Sequence, residues 1–143
     1  MNATIAVLTF LPLFTLAFAH FLWALGYTWP IRSEELLVAT VIGRPGATRL
    51  PTRWLILLRA ALLLGASVVA VALGDPVAGG ASLDGMGLAL CAFFLARGIL
   101  GYTSWWRARH PVEPFATLDR RNYSPICLWI AAGFAILIGM RFL

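Results

Sequence analysis

The sequence predicts an all-α integral membrane protein, a four-helix bundle with long cytoplasmic loops between spans 1 and 2 and between spans 3 and 4. Three observations carry that expectation: the composition, the number of uninterrupted apolar runs, and the distribution of arginine among the connections. Of 143 residues, 61% are hydrophobic and only 12% are charged, and the mean hydropathy is +0.86. A soluble domain of this size carries about a quarter charged residues. Lipid instead solvates apolar side chains directly and leaves polarity to the connections. A disordered chain, a disulfide scaffold and a soluble enzyme of ordinary make-up are excluded.

The first apolar run, residues 5–27, holds no charge and exceeds the roughly 20 residues needed to cross the hydrocarbon core. Its Ala17-Phe18-Ala19 has the small-x-small pattern of a leader cleavage site. No Lys or Arg precedes the run, however, and it continues through Phe21, Leu22 and Trp23, so the expectation is an uncleaved first span. The second run, 54–73, is broken only by Arg59, and the third, 83–102, only by Arg97. The fourth, 125–143, opens at Pro125, a residue suited to a first helical turn, where its missing N–H is not needed. Trp54, Tyr102 and Trp105 stand where an interfacial aromatic belt is expected. Residues 1–143 thus read as a single transmembrane domain.

All 11 basic residues are arginine, set against six acids for a net charge of +5. Most lie in the connections between apolar runs and form neither a basic face nor a tail, so nucleic acid is not an expected partner. Arg32, Arg44, Arg49 and Arg53 fall in the first long connection, and Arg107, Arg109, Arg120 and Arg121 in the second. The 74–84 connection and the N-terminal tail have none, and the C-terminal end has Arg141. Eight against one puts the long connections in the cytoplasm and both termini outside, by the positive-inside rule. Within the first, Glu34 to Ile42 includes an apolar stretch too short to span, expected at the cytoplasmic interface and ended by Pro45 and Gly46. Within the second, Trp105-Trp106-Arg107-Ala108-Arg109-His110-Pro111 is a basic aromatic segment expected at headgroup level.

The residues most costly to place in a bilayer are His20, Arg59 and Arg97. At 1.5 Å per helical residue, Arg59 lies about 8 Å inside Trp54, Arg97 about 8 Å inside Tyr102 and His20 about 10 Å inside Tyr27. Three spans thus offer a polar group to one layer in the cytoplasmic half. Cys127 is close to that layer, with Asn122 and Tyr123 just below. Each has a plain reading: arginine stems reach back to the headgroups, and a lone histidine is commonly satisfied structurally. Arg97 fits the plain reading least, because its flanks Phe93, Phe94 and Leu100 give it no polar companion. Ala131, Ala135 and Gly139, and Gly85, Ala89, Ala92 and Ala96, are spaced to pack spans closely, with contact between copies as the other use. Cys91 and Cys127 lie in apolar runs without a CxxC spacing. No metal constellation, nucleophile elbow or paired carboxylate is present, and Gly43-Arg44-Pro45-Gly46 lacks the Lys-Ser/Thr of a phosphate loop. No metal and no cofactor are expected.

Three segments resemble a known family. They are His20-Phe21-Leu22-Trp23-Ala24-Leu25-Gly26, Phe94-Leu95-Ala96-Arg97-Gly98-Ile99-Leu100-Gly101-Tyr102, and Phe115-Ala116-Thr117-Leu118-Asp119-Arg120-Arg121-Asn122-Tyr123-Ser124-Pro125-Ile126-Cys127-Leu128. Together they are similar to the bacterial membrane family catalogued as domain of unknown function 3995. The likeness covers nearly the whole chain, and the third segment is its most specific part. It implies a small four-helix protein of the bacterial inner (cytoplasmic) membrane, and no agreed activity. It also draws attention to Asp119, which beside Arg120 and Arg121 would otherwise read as an ordinary solvated charge.

The expected function is that of a binding or accessory protein. Its cytoplasmic-side polar layer, made of His20, Arg59, Arg97, Asp119, Tyr123 and Cys127, holds an anionic group. Arginine's planar fork suits phosphate or carboxylate, and membrane lipids are the expected partners, with lipid phosphate the nearest abundant ligand. One alternative is an intramembrane enzyme acting on a lipid-soluble substrate. There His20 is acid or base, Tyr123 or Cys127 a proton donor or nucleophile, and the two arginines stabilise an anion. Another is a small subunit of a larger membrane complex, its small-residue faces and Trp105-Trp106 meeting a homo-oligomer or membrane-complex partner.

Overall fold

The structure, a computed structural model, describes residues 2–142. Its elements in chain order are α1 (Asn2–Ala24), α2 (Glu34–Val41), α3 (Arg53–Gly74), α4 (Ala81–Leu100), α5 (Ser104–Arg109), α6 (Phe115–Leu118), a π-helical turn (Asp119–Tyr123) and α7 (Ser124–Gly139). Four helices are long and apolar enough to cross a membrane: α1, α3, α4 and the continuous 115–139 helix formed by α6, the π-turn and α7. The first three begin and end within three residues of the runs read from sequence.

The fourth span departs from expectation. It starts at Phe115, ten residues before Pro125, so the proline lies inside the helix. The π-turn explains how. The Ser124 N–H donates to the Asp119 carbonyl five residues back, and in that wider register the next amide would serve Arg120. Proline has no N–H to give, and the Tyr102 hydroxyl donates to the Arg120 carbonyl instead, at 3.1 Å. The second long connection therefore shortens to residues 101–114, with α5 inside it, and Asp119 belongs to a helix rather than to a loop.

A second internal proline is handled in the same way. Pro12 sits in mid-α1 and leaves the Leu8 carbonyl without its helical donor. The indole N–H of Trp129 on α7 donates to that carbonyl at 3.2 Å. Because lipid supplies no alternative donor, Trp129→Phe should lower stability by about 1 kcal/mol, in the range of interhelical hydrogen bonds within membranes. In Pro12→Ala, whose own amide serves Leu8, the same change should cost little. Thermal unfolding of the wild type, the two single variants and the double variant in detergent checks the coupling.

The bundle consists of two tight pairs, α1 with α3 and α4 with α7, joined mainly where α1 meets α7. Leu13, Ala70, Leu73, Ile130, Phe134 and Leu137 form its core, and the Phe94 and Phe134 rings stack at 6.5 Å between centroids. Gly133 permits the α1–α7 approach, since a Cβ there would fall on Thr9 Oγ1. Between α3 and α4 the contact is much thinner. Of the small-residue stripes, Ala131 alone packs in the core, and the other positions do not pack the bundle as expected. Ala89, Ala92, Ala96 and Ala135 are exposed, and a Cβ added at Gly85 or Gly139 would meet open space. A four-residue spacing marks a helix face, but in lipid an apolar face is tolerated whether or not it meets protein.

Asn2, Arg141 and the 74–81 turn lie at one end of the bundle. Asn2, Asp75, Asp84 and Arg141 line one depression there. Arg141 donates from Nε to Asp84 Oδ1 at 2.6 Å and from Nη1 to the Ala78 carbonyl at 2.8 Å. The arginine-rich connections occupy the opposite end. There α2, capped by Ser33 through the Leu36 N–H, turns Leu37, Val38 and Thr40 inward and rests on α6. The apolar stretch expected at the interface is thus a protein-packed cap and not a fifth span.

Candidate functional site

The polar layer is organised around Asp119. The π-turn carries this carboxylate into the bundle, where the residue is only 2% exposed. Arg97 Nη2 donates to Oδ1 at 2.6 Å, and the Trp106 indole N–H donates to Oδ2 at 2.9 Å. Gly101 makes the approach feasible. A Cβ at that position would coincide with Ser124 Oγ and come within 2.9 Å of Asp119 Oδ2, so only a bare α-carbon lets the end of α4 reach the π-turn. Arg97 therefore points inward to a protein partner, and the headgroup-reaching alternative does not hold. Its Cζ also lies 4.8 Å from the centre of the Trp106 ring, a cation–π contact. The other terminal nitrogen, Nη1, is buried and has no hydrogen-bond partner.

Residues 104–109 divide their aromatic pair between two environments. Thr103 caps α5 by accepting from the Trp106 N–H. Trp105 faces out beneath the Arg109 guanidinium, 4.2 Å from its ring centre, as a headgroup-level residue would, while Trp106 turns in. One turn later His110 stacks on Trp106 at 4.0 Å between ring centroids and is 5% exposed. Arg44 Nε, which can only donate, reaches His110 Nε2 at 3.2 Å. The imidazole proton therefore sits on Nδ1, which donates to the Trp106 carbonyl at 3.1 Å. Phe115 and then Tyr123 continue the aromatic row, at 5.7 and 5.8 Å between centroids, and the Tyr123 hydroxyl donates to the Thr40 carbonyl of α2 at 3.1 Å.

Beside this row lies a cavity of about 350 Å³ whose wall includes Arg44, Arg59, Arg97, Pro51, Trp106 and His110. No carboxylate lines it, because Asp119 stands behind Arg97. Its wall joins single residues of α3, α4, α5 and α6 to the end of α2 and the connection that follows it. A pocket of about 50 Å³ adjoins it, with His20, Trp23 and Arg59 in its wall. A third space of about 290 Å³, with Arg49, Arg53 and Glu34, follows toward the bundle end. Pro51 borders all three, so the 43–52 connection roofs a row of cavities.

Arg59 and Arg97, read from sequence as members of one polar layer, meet at the main cavity, and Asp119 joins them through Arg97. His20 occupies the adjoining pocket, its Nδ1 bonded to the Leu16 carbonyl at 2.8 Å and its ring tilted on Trp23. Tyr123 is separated from the cavity by Phe115. Cys127 lines neither the main cavity nor the His20 pocket. The trio that a catalytic reading would need, His20, Tyr123 and Cys127, is not brought together in the His20 pocket or the main cavity. Arg44, Trp106 and His110 were not among the residues expected at the site. The four-residue spacing of Trp106 and His110 was the available signal, since it sets two rings on one face of a helical turn. Nothing local in the sequence marks Arg44.

No curated protein matches the chain, and no solved structure matches it. The family model described as protein of unknown function (DUF3995) matches residues 13–134. That match spans both helix pairs and every residue of the main cavity, and the chain belongs to this family.

Proposed function

We propose that this protein binds an anionic group, the phosphate of a membrane lipid, and serves as a binding or accessory protein of the membrane. The observation that carries the reading is the convergence of Arg44, Arg59 and Arg97 on one cavity without a carboxylate in its wall, the innermost of them keeping a buried, unpartnered Nη1. Asp119 fixes the Arg97 guanidinium through Nη2, so little side-chain freedom is lost when an oxygen approaches it. At the buried Arg97 Nη1 the lower local dielectric strengthens a charge-assisted hydrogen bond. The arginine-rich connections suit the cytoplasmic face, which puts the cavity in the cytoplasmic leaflet of the inner membrane with both termini outside.

The test is native mass spectrometry of protein released from nanodiscs of neutral lipid doped with phosphatidylglycerol. The wild-type chain should retain the anionic lipid. Arg59→Gln should retain about tenfold less, in keeping with the loss of one charge-assisted hydrogen bond. Equal retention by wild type and by the Arg44→Gln/Arg59→Gln double variant would overturn the reading.

A further inference from the structure

We infer that the cavity selects a phosphomonoester, a terminal phosphate bearing two negative charges, over the singly charged phosphodiester of bulk phospholipid. This inference rests on the anion-binding reading above and specifies its ligand.

The charge balance of the cavity is the first argument. Arg44, Arg59 and Arg97 each bring one positive charge to its wall. Asp119 offsets one, and both of its oxygens are already engaged, by Arg97 and Trp106. His110 adds nothing, because its Nε2 accepts from Arg44 and it is therefore the neutral tautomer. Among the described residues the ion pairs are Arg97–Asp119 and Arg141–Asp84, so neither Arg44 nor Arg59 has a carboxylate partner. Arg44 and Arg59 are exposed at the cavity, so their two positive charges are held by solvent alone and stand without a counter-charge. A dianion neutralises them; a monoanion leaves one.

Donor placement is the second argument. The three guanidiniums come from three separate elements: the 43–52 connection, α3 and α4. They therefore approach from different directions. A terminal phosphate presents three strong acceptor oxygens, one for each fork. A diester has two of its four oxygens in ester bonds, which leaves two free. At about 350 Å³, against about 30 Å³ for one water in the liquid, the cavity also has room for the first carbons beyond the phosphate. Trp106 and Phe115 give that part of the ligand an apolar wall.

The experiment compares nanodiscs of neutral phosphatidylcholine doped at equal mole fraction with phosphatidic acid or with phosphatidylmethanol, which differ by a single methyl ester. Lipid retained by the released protein is counted by native mass spectrometry. Phosphatidic acid should be retained at least about tenfold over phosphatidylmethanol, the ratio for about 1.4 kcal/mol of discrimination. Arg59→Gln should bring that ratio close to one, and Arg59→Lys, which keeps the charge, should hold it above one. Equal retention of both anionic lipids in the wild type would overturn the monoester inference and leave the anion site standing, whereas retention of neither would overturn the anion site itself. Inorganic phosphate added at millimolar concentration separates the sources. Displacement of phosphatidic acid supports a phosphomonoester drawn from solution, and persistence of the lipid supports one held in the membrane.

Discussion

Asp119→Ala should destabilise the protein by about 3–5 kcal/mol, the cost of removing one member of a buried ion pair. The variant strands the Arg97 guanidinium, whose Nη1 already lacks a partner, and it also leaves the Trp106 indole N–H unsatisfied. Arg97→Ala should be of comparable size, because it leaves a carboxylate on a residue only 2% exposed with the indole as its single remaining donor. Arg97→Lys should fall between Arg97→Ala and wild type. Lysine keeps the charge but lacks the planar fork, and with it the simultaneous contact with Asp119 and the Trp106 ring. Replacing both partners at once, as Arg97→Met/Asp119→Leu, should recover most of the loss, since no buried charge then remains. Thermal unfolding in one detergent checks the series. An Asp119→Ala variant as stable as wild type would mean that the pair does not hold the end of α4 to the π-turn.

Gly101→Ala should be disruptive for so small a change, costing about 1–3 kcal/mol as an overpacked contact does. The added methyl would fall on Ser124 Oγ and lie 3.1 Å from Ser124 Cβ and 2.9 Å from Asp119 Oδ2, so it meets two short side chains that have little freedom to retreat. Gly85→Ala is the matched control. It meets open space in the interior of α4, and it should be neutral or stabilising by up to about 1 kcal/mol, the difference in helix propensity. Ser124→Ala separates crowding from polarity. Its buried Oγ has no partner, so removing it alone should cost little, and combined with Gly101→Ala it should recover part of the loss. The same unfolding measurement reports all four variants.

Much of this architecture is legible in the sequence, because the spans depend on quantities that are local along the chain. Twenty or so apolar residues cross a bilayer wherever they occur, and three of the four spans lie within three residues of where length and hydropathy put them. The start of the fourth was misplaced because Pro125 is compatible both with a first helical turn and with a π-turn. Only the Tyr102 hydroxyl, 18 positions from the carbonyl it serves, decides between them. Arg97 was legible as an oddity in an apolar run. Its partner became visible through the family likeness, since by charge pattern alone Asp119 belongs with the exposed Arg120 and Arg121. Arg44 and His110 were not legible, because their meeting spans 66 positions and depends on how two connections fold back over the bundle end. The small-residue stripes show the converse limit: periodicity identified a face but could not say that lipid covers it.

The Leu8 carbonyl bears on how the chain is made. Pro12 leaves it vacant as soon as the first helix enters the bilayer, and its donor, Trp129, lies 121 positions downstream. Throughout synthesis the N-terminal span therefore carries an unmet hydrogen-bonding demand in a medium that offers no water to meet it. The fourth span is the one that satisfies it. Until residue 129 has been made α1 keeps a polar defect, and the bundle closes over it only when α7 packs against α1.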